Sequence, residues 1–295
     1  MRMSSCSAFK LLAITLAVGL GGCLQLDPFL YTPERLDHYE FKAEGNTPLT
    51  TVDPSRIEPL TLTTEDGVRL GAVYVRAAEQ PRAYALFFHG KGAALPRHMR
   101  YIKRLANMGY DVLAFDYRGF GISDNVTPTE EGLEKDSRAA LAHLVARAGG
   151  AERIFYYGHS LGGAVATQRA ELDAPVALVL ESTFGSIDEF VSDSTQMDLP
   201  AGWVAEDSWA TSTRIRNVHA AVLLLHGRSD DFVRPEFSMR VYENANEPKQ
   251  LLLVDGARHG DIPEVMGEAA YASTVTGWVD SSLPSIPSRG PIAHD

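Results

Sequence analysis

Ile154-Phe155-Tyr156-Tyr157-Gly158-His159-Ser160-Leu161-Gly162-Gly163 is the stretch on which the fold of this chain turns. Its apolar opening, Ile154–Tyr157, reads as a short strand, and an alanine-rich helical pattern opens at Leu161. Between them stands G-x-S-x-G, in the strand–turn–helix context that this motif requires. A turn this sharp forces Ser160 into a strained backbone conformation and lifts its Oγ above the sheet edge. Gly158 and Gly162 are needed because strand and helix approach too closely for side chains, and Gly163 reads as a close helix contact. The helix N-terminus sets positive dipole and N–H groups beside any oxyanion formed at Ser160. Ser160 is therefore the candidate nucleophile.

A serine hydroxyl needs a base, and the base needs an orienting group. Two later strands end in polar sequence, where open α/β sheets bind ligands. After Ala221–Leu225 comes His226-Gly227-Arg228-Ser229-Asp230-Asp231-Phe232-Val233, and after Leu251–Val254 comes Asp255-Gly256-Ala257-Arg258-His259-Gly260-Asp261. His259 is assigned as general base and then general acid, and Asp230 as the group that orients it, with neighbouring Asp231 as competitor. Two backbone N–H groups should hold the oxyanion. One is Leu161, directly after the nucleophile; the other is Lys91, in the loop His89-Gly90-Lys91-Gly92 after the strand Tyr84–Phe88. His89 and Gly90 are expected to shape that loop, and the Lys91 side chain to be solvated.

Around this centre strand and helix patterns alternate, the signature of a mostly parallel sheet covered on both faces. Thr61–Thr64 and Gly71–Arg76 look like an opening antiparallel pair. Tyr84–Phe88, Val112–Phe115, Ile154–Tyr157, Val176–Leu180, Val222–Leu225 and Leu251–Val254 are near-continuous apolar runs, as strands buried on both faces should be. Helical patterns cover Met99–Met108, Glu130–Ala148, Leu161–Leu172, Pro235–Asn246 and Ile262–Asp280. The stretch 182–217 interrupts the alternation and is expected to form a lid or cap. Its apolar residues Phe184, Ile187, Phe190, Met197, Leu199, Trp203, Val204 and Trp209 would suit an acyl chain, or would simply pack the lid onto the sheet.

The segment from about Leu60 to Leu283 resembles the α/β-hydrolase superfamily, closest to its serine-aminopeptidase-like and esterase or thioesterase-like branch. The resemblance rests on His89-Gly90, on Asp116-Tyr117-Arg118-Gly119-Phe120-Gly121-Ile122-Ser123, on Glu131-Gly132 with Asp136, and on Gly158–Gly163. Glu181-Ser182-Thr183-Phe184, His226-Gly227 with Asp230 and Val233, and His259 extend it. It implies an α/β-hydrolase fold with an eight-stranded-type sheet, and a structural role for Asp116 and for a salt-bridged Arg118. The activity it implies is hydrolysis of an ester or thioester through an acyl-enzyme, with peptide cleavage at small N-terminal residues as the alternative. No cofactor or metal is called for. A reading from another class, a non-catalytic membrane-tethered binding protein, is disfavoured by the retention of Ser160, Asp230 and His259 in order.

The chain begins differently. Arg2 and Lys10 precede the apolar run Leu11–Leu20, which fits an export signal and is too short to span a membrane. Leu20-Gly21-Gly22-Cys23 resembles a bacterial lipobox, which implies removal of residues 1–22 and acylation of Cys23, with an outer-membrane destination if the host is Gram-negative. Residues 23–59 hold five prolines and read as a tether and lead-in segment, 60–283 as the hydrolase domain, and 284–295 as a disordered tail. The net charge of −11 from 27 basic and 38 acidic residues argues against nucleic acid as a partner. No Lys or Arg stands between Ala170 and Thr213, while six acids lie between Asp188 and Asp207, which disfavours a heavily anionic substrate. A small-molecule or lipid-like acyl substrate is the expected ligand.

Overall fold

A computed structural model describes residues 31–41, 50–189 and 207–284. Among these residues stand eight strands, β1 (Ile57–Thr63), β2 (Arg69–Val75), β3 (Ala83–Phe88), β4 (Tyr110–Phe115), β5 (Ile154–His159), β6 (Ala177–Glu181), β7 (Ala221–Gly227) and β8 (Lys249–Val254). They form one sheet in the order β1-β2-β4-β3-β5-β6-β7-β8. The pairs β1–β2 and β2–β4 are antiparallel, and all the others are parallel. The fold is the expected α/β-hydrolase sheet, with β5 near its centre.

The apolar runs lack alternation because both faces of the sheet are covered. Successive side chains of a strand point to opposite faces. Thus Ile154 and Tyr156 of β5 enter one core, while Phe155 and Tyr157 enter the other. Helices α2 (Glu130–Ala148), α3 (Leu161–Leu172) and α5 (Pro235–Asn244) pack on the first face; α1 (Leu95–Asn107) and α7 (Glu268–Ser282) pack on the second. Two short α-helices, α4 (Thr211–Arg214) and α6 (Ile262–Met266), are also present among the described residues.

Helix α2 starts as the sequence suggests. The Thr129 hydroxyl accepts the N–H of Gly132, and Gly149 closes the helix in a left-handed conformation. Three departures from expectation have a clear physical reason. Helix α1 begins at Leu95 rather than Met99, because Pro96 suits the first turn and the buried carboxylate of Asp116 accepts the Leu95 N–H at 3.0 Å. The single helix expected over 262–280 is two, broken at Gly267, whose φ is +88°. Strand β1 starts at Ile57 and runs through Pro59; a proline is tolerated there because β1 is an edge strand.

Residues 31–41 contact the segments that follow β3 and β4. Tyr31 Oη donates to Asp207 Oδ2 (2.5 Å), and the Trp209 indole donates to Tyr31 Oη (2.9 Å). The Leu36 N–H bonds the Gly121 carbonyl, the Gly121 N–H bonds the Glu34 carbonyl, and Tyr39 Oη donates to Asp116 Oδ2 (2.5 Å). The export signal, Cys23, the tail from 285 and the lid residues Phe190, Met197, Leu199, Trp203 and Val204 lie outside the described residues. Of the lid, the described ends bury Phe184, Ile187 and Trp209 in the first core.

Candidate active site

The turn from β5 into α3 puts Ser160 at φ +56°, ψ −121°, a conformation that costs a non-glycine residue about 1–3 kcal/mol. Its neighbours hold it there. A methyl group on Gly158 would overlap the Gly162 carbonyl, and one on Gly162 would overlap the Phe88 carbonyl at the end of β3. The Ser160 N–H bonds the Glu181 carbonyl of β6 at 2.9 Å, and its carbonyl accepts the Gly163 N–H at 2.9 Å.

His259 comes from the loop after β8. Its Nε2 stands 3.0 Å from Ser160 Oγ, and its Nδ1 stands 2.8 Å from Asp230 Oδ2. A carboxylate can only accept, so Nδ1 carries the proton and Nε2 is left as the acceptor facing the serine hydroxyl. Asp230, in the loop after β7, is fully enclosed. Its Oδ1 accepts the N–H groups of Phe232 and Val233 at 2.9 Å each, and His226 Nε2 lies 3.2 Å from Oδ2. Burial alone would raise the Asp230 carboxyl, but hydrogen bonds from His226 and His259 outweigh it and hold the group below the usual carboxylate range. Asp231 is exposed, so of the two neighbouring aspartates Asp230 is the one that meets the imidazole.

Leu161 is the first residue of α3, and the His89–Gly92 loop passes beside it. A methyl on Gly90 would stand 3.4 Å from Ser160 Cβ. Nδ1 of His89 donates to the Gly90 carbonyl at 2.7 Å, which orients the Gly90–Lys91 peptide and hence the Lys91 N–H. Thr32 fixes the next peptide, its N–H donating to the Lys91 carbonyl at 3.2 Å and its hydroxyl reaching the same oxygen at 3.3 Å. The Lys91 side chain departs from the solvated expectation. It is half-buried, with Nζ 5.3 Å from the centre of the Phe232 ring, and that ring meets His259 edge-on at 4.9 Å.

Behind the loop lies a buried polar group. His89 and Asp116 face each other with Nε2 3.4 Å from Oδ1. The pair is not an ion pair near neutrality, because burial holds His89 down to about 4 and pushes Asp116 up to about 7. Arg118 pairs with Asp136 (2.7 Å) and Asp66 (2.9 Å), the salt-bridged placement expected of it.

Ser160 Oγ, His259 and Asp230 stand within hydrogen-bonding distance in series, Leu161 follows Ser160 at the start of α3, and the loop that carries Lys91 passes Ser160 at Gly90. No motif in the sequence marks Tyr31, Thr32 or Tyr39. Their only sequence signal was aromatic residues in a proline-punctuated stretch that had no periodic face to bury.

A family profile described as serine aminopeptidase, S33 (Hydrolase_4), matches residues 79–210. The chain is 35% identical over 269 residues to an uncharacterized protein of Mycobacterium tuberculosis, Rv2307c, covering 90% of this chain and 92% of that protein. It is 30% identical to the α/β hydrolase domain-containing protein WAV2 of Arabidopsis thaliana, over 66% of this chain and 70% of the relative. A Pyrococcus furiosus esterase shares the fold with a TM-score of 0.67, at 22% identity over 86% of this chain and 98% of the esterase. The chain belongs to the α/β-hydrolase family, and its general class is that of a serine hydrolase.

Proposed function

We propose that the chain hydrolyses carboxylic esters or thioesters through an acyl-enzyme on Ser160. The observation that supports this most is the relay of Ser160 Oγ, His259 and buried Asp230, at 3.0 and 2.8 Å, on a nucleophile held at positive φ. In this reading His259 Nε2 takes the Oγ proton as Oγ attacks the acyl carbonyl carbon. The tetrahedral oxyanion is held by the N–H groups of Leu161 and Lys91. Collapse breaks the bond to the alkoxide or thiolate, which leaves with the proton from His259. A water then gives its proton to Nε2, attacks the acyl carbon and releases the carboxylic acid, and the proton returns to Oγ. Asp230 keeps the imidazole in one tautomer and stabilises its charge while the proton is held.

A second reading, cleavage of peptides at small N-terminal residues, is favoured by the description of the matching family profile and by the acids between Asp188 and Asp207. Turnover of aminoacyl p-nitroanilides against p-nitrophenyl esters separates the two. Ester turnover that is lost in Ser160→Ala supports the first; turnover of anilides alone replaces it with the second. Absence of both, together with absence of fluorophosphonate labelling, would leave a binding protein. We further propose that Cys23 is acylated and that it holds the exported chain on a bacterial membrane, with the domain free to meet lipid-like acyl substrates.

A further inference from the structure

The mechanism above leaves one residue of the nucleophile turn without a part. His159, between Gly158 and Ser160, is buried. Its Nε2 lies 3.1 Å from the main-chain carbonyl of His259 and 3.1 Å from Tyr101 Oη of α1. A carbonyl oxygen can only accept, so Nε2 carries the proton. Nδ1 is then a bare lone pair, buried and without a partner among the described residues. Burial holds the ring well below the ordinary histidine range, as one neutral tautomer. Tyr101 fixes the ring from the side. It stacks on Phe87, its hydroxyl accepts from Arg100 Nη2 at 3.0 Å, and its ring centre is 4.7 Å from that of His159.

We propose that His159 is a positioning residue for the reaction: its Nε2–H, bonded to the His259 carbonyl, keeps the base in register with the nucleophile turn while Ser160 is acylated. This inference rests on the acyl-enzyme reading. In the resting site two bonds join the turn to the histidine loop, one from the Ser160 hydroxyl to His259 Nε2 and one from His159 to the His259 main chain. Acylation of Oγ removes the hydroxyl proton and with it the first bond. The second uses atoms that take no part in the chemistry, so it persists through the intermediate. Asp230 still holds Nδ1, but it approaches from the opposite side of the ring and belongs to the loop after β7. The geometry for activating water therefore depends on His159 more than the geometry for the first attack does. Misplacement of a catalytic group by about 1 Å costs on the order of a hundredfold.

The test compares His159→Phe, which keeps a ring in the packing but has no donor, with His159→Gln, whose amide N–H can reach the same carbonyl. Full-length wild type and both variants are assayed with p-nitrophenyl acetate in steady state and in the first turnover. The expected result for His159→Phe is a fall in kcat of roughly tenfold to a hundredfold with a much smaller fall in kcat/KM, and a growing burst of p-nitrophenol as acyl-enzyme accumulates. His159→Gln is expected to recover most of kcat and to lose the burst. Thermal unfolding of each variant separates this from loss of fold. Equal kinetics in wild type and His159→Phe would overturn the proposal. So would equal losses in Phe and Gln that follow the unfolding temperature, with no burst. A wild type that shows no Ser160-dependent turnover would overturn the acyl-enzyme reading itself and this inference with it.

Discussion

At the scale of the residue, two adjacent aspartates with the same side chain have opposite surroundings. Asp230 is enclosed by two N–H groups and two histidines, whereas Asp231 faces solvent. Asp230→Asn is expected to lower kcat by about 10⁴, because an amide at Oδ2 favours the wrong imidazole tautomer. Asp231→Asn should leave kcat within about twofold. Kinetics of the two variants side by side check this, and equal losses would contradict the assignment. Asp116 gives a pH-dependent counterpart. In the folded chain its carboxyl keeps its proton up to about 7, whereas in the unfolded chain it gives it up near 4. Folding then takes up a proton between those values, so this group's contribution is fullest below pH ~4 and is lost as pH rises through about 7. Unfolding temperature should therefore decline more steeply from pH 5 to pH 8 in wild type than in Asp116→Asn. Parallel curves would mean that burial of this carboxylate is relieved in some other way. The three polar residues of the relay were legible in the sequence because each follows a recognisable strand. His159's bond to the His259 carbonyl was not, since it joins residues 100 positions apart and leaves no local pattern.

At the scale of the element, close approach of backbones does what no side chain could. Helix α3 meets β3 and β5 through Gly162 and Gly158, and an added Cβ at either would strike main chain that cannot move without shifting the sheet. Gly162→Ala should thus cost at least about 1–3 kcal/mol of stability and reduce fluorophosphonate labelling of Ser160 in whatever fraction still folds. A fully stable, fully labelled variant would show that helix and strand can part. Strand identity and the parallel arrangement were readable because uninterrupted apolar runs report burial on both faces. The helix ends that differ from the sequence pattern depend on distant groups or on backbone conformation. Asp116, 21 residues away, accepts the first N–H of α1, and the positive φ of Gly267 breaks what looks in sequence like one helix with a tolerated glycine.

At the scale of the whole molecule, residues 31–41 join three separate parts of the chain. Tyr31 reaches the far end of the lid stretch, Thr32 reaches the Lys91 loop, and Tyr39 reaches Asp116 behind it. A stretch with so little periodicity could be read only as covering the domain surface, since its order comes from the groups it meets. Tyr39→Phe removes a donor from a buried carboxylate and should destabilise by about 1–3 kcal/mol, measured by denaturant unfolding; no change would mean that Asp116 finds another donor. The proposed anchor acts at the same scale, and Cys23→Ser should move the protein from the membrane to the soluble fraction. The proposed chemistry begins at the oxygen of Ser160. Hydrolysis of short- and long-chain p-nitrophenyl esters by the wild type and by Ser160→Ala tests it most directly, with fluorophosphonate labelling of both. Turnover and labelling are expected in the wild type and neither in the variant, with both proteins folded. Ester turnover that survives the loss of that hydroxyl would contradict it.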